Sequence, residues 1–181
     1  MLMFPPLMLL VASAVSVWRW RPVNHWPGAS ASLFMAALLG LVSALTTLIA
    51  QSTSAFSSDL LMLLQQATLF AGVPLIAAVW LADAAGQRWD RVIWGRVLLG
   101  ICAVFELCRR ADRLDEWLLT ALMAGLLGSV FLSLKRRQWV SVAAVAGLWG
   151  AALAAQLQDI SGHFLISLAL MTALLRTNTE S

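Results

Sequence analysis

LLMLLQQATLFAGVPLIAAVWLAD, residues 60–83, decides how this chain is read. Asp83, at its last position, is the first charge in the run. As a helix rising 1.5 Å per residue, the run is long enough to cross the ~30 Å hydrocarbon core of a bilayer. Two adjacent amides, Gln65 and Gln66, interrupt the apolar residues, and Gly72-Val73-Pro74 marks a kink near the middle, with Pro74 at its centre. Lipid offers an amide no hydrogen-bond partner, so neighbouring helices are expected to surround this one. The stretch therefore predicts an all-α, polytopic transmembrane helix bundle.

Composition agrees. Of 181 residues, 61% are hydrophobic and only 12% charged, about half the charged share of an ordinary soluble domain. The apolar residues come in long runs separated by short charged loops, and no loop is long enough to fold by itself, so one integral domain spanning 1–181 is expected. The net charge of +3 comes from arginines and a single lysine at the ends of apolar runs. With no basic stripe on a soluble surface, nucleic acid is not a partner. Cys102 and Cys108 share one apolar run at a spacing that fits neither a redox pair nor a zinc knuckle, and are read as small buried hydrophobes.

Seven spans are predicted, at 1–18, 29–50, 60–83, 92–108, 117–134, 139–157 and 163–175. A six-span arrangement with one end lying in the interface is the alternative. No basic residue precedes the first apolar run, so it is expected to be a retained span and not a cleaved signal. Small residues recur every fourth position along several spans. Gly40 lies between Ala36 and Ala44, Gly125 between Ala121 and Ser129, and Gly128 four residues after Ala124. Gly147 belongs to the row Ala143, Gly147, Ala151, Ala155. Such rows let helix backbones approach closely, and the last row is expected to pack most tightly.

The loops set the orientation. Arg19 and Arg21, then Arg88 and Arg91, then Lys135 to Arg137, and finally Arg176 fall in alternate loops and the tail. That alternation predicts an N-terminus outside and a C-terminus inside the inner membrane of a bacterium. Arg109, Arg110 and Arg113 break the pattern, although Asp112, Asp115 and Glu116 share their loop. There are nine tryptophans and no tyrosine. Trp18, Trp20, Trp26, Trp80, Trp89, Trp94 and Trp139 flank the loops placed inside, as an interfacial aromatic belt would.

With that span order, one end of the bundle collects the intramembrane polar residues: Gln65, Gln66, Glu106, Asp159 and His163, with Thr46 and Thr47 nearby. Ionisable residues within spans are functional candidates by default. They also have structural roles available. Glu106 precedes Arg110 by four residues, a favourable helical ion pair, and Asp159 stands in the same relation to His163. Metal catalysis finds little support. His25 and His163 belong to opposite ends of the bundle, so the two histidines cannot share an ion. No nucleophile elbow and no glycine-rich phosphate loop occurs, and no cofactor is indicated.

Three functions fit these residues. The first is a non-enzymatic accessory or assembly subunit of a larger membrane complex, its partners being the bilayer and other membrane-protein subunits or further copies of itself. The second is a carrier or channel for a small solute, proton or lipid, using the outer polar cluster. The third is a membrane-embedded lipid enzyme, which would require Glu106 or His163 to be essential.

Overall fold

The computed structural model describes residues 4–22, 27–52, 57–87, 89–135, 139–157 and 162–176. Among these, every regular element is a helix. There are seven: α1 (Phe4–Arg19), α2 (Gly28–Ser52), α3 (Ser58–Ala84), α4 (Arg91–Arg110), α5 (Leu114–Lys135), α6 (Trp139–Leu157) and α7 (Gly162–Arg176). Three are long and apolar enough to cross a bilayer: Gly28–Gln51 in α2, Ser58–Ala84 in α3 and Leu114–Lys135 in α5. These give the chain the make-up of a membrane protein, with fewer unambiguous spans than the seven expected. Helices α1 and α7, with 16 and 15 residues, fall short of the ~20 a span needs. Helix α4 is long enough, but it carries Arg91, Arg96, Glu106, Arg109 and Arg110. The described apolar part of α6 is the short segment Ala143–Gln156.

Helix α1 packs on α2 and α7, α7 on α6, α6 on α5, and α5 on the C-terminal half of α3, which also meets α2. Helix α4 lies more loosely against α2, α3 and α5. The C-terminal half of α3 is the core of the bundle. Val73 to Ala77, Val79, Trp80 and Ala82 are all buried, so this segment is apolar on every side, as a central helix must be. The N-terminal half, Ser58–Ala67, buries no residue. The expectation that neighbours surround the whole helix is therefore corrected. They surround the half that lacks the amides, and Gln65 and Gln66 sit where packing thins out.

Three of the four glycines expected to mediate packing do so. A Cβ on Gly128 would lie 3.1 Å from the backbone nitrogen of Leu81, so α3 and α5 touch main chain to main chain. A Cβ on Gly125 would lie 2.5 Å from the Trp149 ring, and one on Gly40 would lie 2.6 Å from Ser13 Oγ in α1. Gly147 is the exception, because nothing lies within 4 Å of its Cβ position. Helix α6 instead buries Val145, Trp149, Ala152 and Ala155, while Ala143, Gly147 and Ala151 are exposed. Two causes combine. Residues four apart drift by about 40° around a helix, so the row winds from the outer side to the inner side, reaching it at Ala155. The large indole of Trp149 packs against Gly125 and is wholly buried, which turns that side of α6 inward.

The aromatic belt is also corrected. Trp20, Trp80 and Trp94 are buried inside the bundle, as is Trp149. The Trp80 indole donates to Thr172 Oγ1 at 3.3 Å, joining α3 to α7. Trp18, 72% exposed, keeps an interfacial character and lies under the Arg21 guanidinium. The cysteines differ from expectation too. Cys102 is exposed on the loosely packed α4 and Cys108 is half-buried, both free.

Candidate functional site

The irregular turn in α3 organises the site. The sequence marks it with Gly72 and Pro74, but the distortion lies one turn earlier, where Thr68–Gly72 forms a π-turn. Such an inserted residue inside an α-helix is frequent at functional positions. Pro74 has no N–H to give the carbonyl four residues back, which is that of Phe70. That carbonyl instead accepts the indole N–H of Trp117 at 3.0 Å, from the first turns of α5. The Phe70 ring stacks on Phe105 of α4, with centroids 6.1 Å apart. One residue of the π-turn thus ties α3 to both α4 and α5.

Beside this turn lies a cavity of about 260 Å³, whose polar wall is formed by Ser43, Gln65, Gln66, Thr68 and His163. Helices α2, α3 and α7 each contribute. Leu69, Phe70 and Ile166 supply its apolar side. Gly162 lines it as well, and a Cβ there would lie 3.1 Å from Leu69, so α7 starts close against the π-turn.

The hydroxyls form a directed network. Thr47 Oγ1 donates to the Ser43 carbonyl at 2.8 Å. Thr47 Oγ1 also lies 3.3 Å from His163 Nε2, which joins α2 to α7. Thr68 Oγ1 donates to the Leu64 carbonyl at 2.7 Å and lies 3.2 Å from the Leu39 carbonyl. Leu39 is four residues before Ser43, so Thr68 stands beside the carbonyl to which a helical serine hydroxyl ordinarily turns. Ser43 Oγ, in a residue only 1% exposed, has no hydrogen-bond partner among the described residues.

Of the five residues expected to share one membrane level, Gln65, Gln66 and His163 line this cavity. Glu106 does not. Its carboxylate accepts from Arg109 Nε at 2.8 Å, Arg109 Nη2 at 2.9 Å and Arg110 Nε at 2.8 Å, on the exposed side of α4. The two arginines one turn on claim it, and only its neighbour Phe105 reaches inward. Asp159 lies outside the described residues, as do His25 and Trp26. Among the described residues no group of three or more His, Cys, Asp or Glu side chains could hold a metal ion. Comparison with models of known protein families, with curated proteins and with solved structures gives no match.

Two wall residues escaped the sequence reading. Ser43 and Thr68 are single hydroxyls inside apolar helices, which ordinarily bond their own helix backbone. The available signal was Thr68 standing four residues before Gly72 in a segment already marked by Pro74. Trp117 stands in the first turns of α5, and its role as donor to the carbonyl freed by Pro74 is visible only once α3 and α5 are packed.

Proposed function

We propose that this chain is a multi-pass subunit of a larger membrane assembly, embedded through seven spans in a bacterial inner membrane with its N-terminus outside. The observation that carries this reading is the outward side of α6. Ala143, Gly147, Gly150, Ala151 and Ala154 are all exposed, and among the described residues nothing from another helix lies within 4 Å of a Cβ placed on Gly147 or Gly150. A helix side made only of alanine and glycine has little apolar surface to offer lipid tails. It suits the close approach of another helix, where van der Waals packing drives association. The orientation draws support from the loop that breaks the charge pattern: Arg109 and Arg110 both hold Glu106, and Arg113 lies 3.6 Å from Glu116.

A photo-crosslinking residue placed at Gly147 tests the proposal in native membranes. It should capture one membrane protein, another subunit or a second copy, in stoichiometric yield. Gly147→Leu should abolish that association while leaving the protein folded. A lone, monodisperse chain extracted in mild detergent, with no crosslink, refutes the reading. A second reading, a carrier for a small solute, proton or lipid, is favoured by the cavity at Gln65, Gln66 and His163. Flux in proteoliposomes that is lost in Gln66→Leu would establish it.

A further inference from the structure

We infer that the cavity beside the π-turn is a binding site for the head of an uncharged, membrane-soluble molecule carrying a free hydroxyl and a carbonyl or ether oxygen. Quinols and neutral glycerolipids share this chemistry. The inference is independent of the docking role of α6, because the two surfaces belong to different helices.

Four observations carry it. The unpartnered hydroxyl of Ser43, almost wholly buried, forms part of the wall. An orphaned polar group in such a place is costly, and a ligand oxygen relieves the cost. Among the described residues the wall contains no Asp, Glu, Lys or Arg. A phosphate or ammonium head would enter without a counter-charge, which desolvation strongly disfavours. The remaining polar groups ask for a head that both accepts and donates. The amide nitrogens of Gln65 and Gln66 and the Ser43 hydroxyl can donate, whereas the two amide oxygens can only accept. A hydroxyl next to a carbonyl or ether oxygen answers both demands. Finally, size and setting agree. At about 260 Å³ the cavity lies just below the usual range for small-molecule pockets, enough for a head group but not for its tail. Met62, at the rim, is 60% exposed, and the unburied half of α3 leaves a lateral way out for an apolar chain.

The test uses the full chain in a neutral detergent. Decylubiquinol, decylubiquinone, dioctanoylglycerol and dioctanoyl phosphatidic acid are titrated separately. Native mass spectrometry reads stoichiometry, and tryptophan-monitored thermal unfolding reads stabilisation. At least one uncharged probe should bind one per chain and saturably, and phosphatidic acid at least tenfold more weakly. Quinol and glyceride arms identify the source of the head. Ser43→Ala removes the orphaned hydroxyl without removing any protein hydrogen bond, so it should fold normally and still bind at least tenfold more weakly. Gln66→Leu should do the same, while Glu106→Gln binds as the parent does. The inference is overturned if no uncharged probe saturates, if phosphatidic acid binds as tightly as the glyceride, or if folded Ser43→Ala and Gln66→Leu bind with unchanged affinity.

Discussion

Replacing Trp117 by Phe examines the junction between the kinked helix and its neighbour. The substitution keeps an aromatic ring but deletes the donor that bonds the Phe70 carbonyl at 3.0 Å. Pro74 supplies no N–H to that carbonyl, and Phe70 is 8% exposed, so water replaces the lost donor poorly. An unsatisfied buried carbonyl costs about 1–3 kcal/mol in soluble proteins. Measured hydrogen bonds between membrane helices average about 0.6 and reach about 1.7 kcal/mol, because the unfolded chain in a bilayer also finds partners. Trp117 is only partly buried, which favours the lower figures. The expected hydrogen-bond contribution is therefore about 1 kcal/mol, a roughly fivefold change in the unfolding equilibrium at RT ≈ 0.59 kcal/mol.

Loss of indole volume adds a packing cost that this number does not include. A double-mutant cycle removes it. Pro74→Ala gives the helix an N–H at the position that serves the Phe70 carbonyl, so Trp117→Phe should cost about 1 kcal/mol less in the Pro74→Ala background than in the parent. The assay is reversible unfolding in mixed micelles with increasing denaturing detergent, followed by far-ultraviolet circular dichroism so that loss of a tryptophan does not distort the signal. If Trp117→Phe costs the same in both backgrounds, the carbonyl is not what Trp117 serves, and the account of the kink fails.

Four further substitutions separate packed from unpacked features. Gly128→Ala drives a methyl against the Leu81 and Trp80 backbone and should destabilise by about 1–3 kcal/mol. Gly147→Ala meets nothing and should leave the isolated protein as stable or more so by up to about 1 kcal/mol, through helix propensity; equal effects in the same unfolding assay would contradict the packing described. Thr172→Val keeps its shape but leaves the buried Trp80 indole without its acceptor, and should cost about 1–2 kcal/mol with a shift in tryptophan emission. Glu106→Gln breaks an ion pair to two exposed arginines. Its small effect on thermal unfolding should vanish as salt is raised, because exposed pairs are screened.

Helix positions were legible because apolar run length and charged punctuation report directly on them: α3 at Ser58–Ala84 encloses the run 60–83. Rotation about each helix axis was not. A four-residue row of small side chains marks a face of α6, but whether that face looks inward depends on where Trp149 finds room, and that room is made by Gly125 on another helix. The polar residues divide in the same way. Gln65, Gln66 and His163 could be brought together from span order alone, because that argument needs only which end of the bundle each occupies. Glu106 passed the same test yet turned elsewhere, since two arginines within one turn offered it nearer partners. Ser43 became informative only once α2, α3 and α7 were packed around its buried hydroxyl, an arrangement that no local pattern encodes.

Phe70 joins the two halves of this structure. Its carbonyl is held by α5, its ring lies on Phe105 of α4, and it forms part of the cavity wall. Most of Val73–Ala84, which follows it, is buried, whereas Ser58–Ala67 before it buries no residue. A molecule bound against Gln65, Gln66 and His163 would therefore press on the less packed side of the π-turn. Coupling between two sites requires a ligand to make different contacts in two arrangements of the protein. Helix α4 meets the cavity wall through the Phe70–Phe105 stack, and α6 packs on α7, which carries His163 and Ile166 of that wall. Both helices therefore touch an element that a molecule in the cavity would contact.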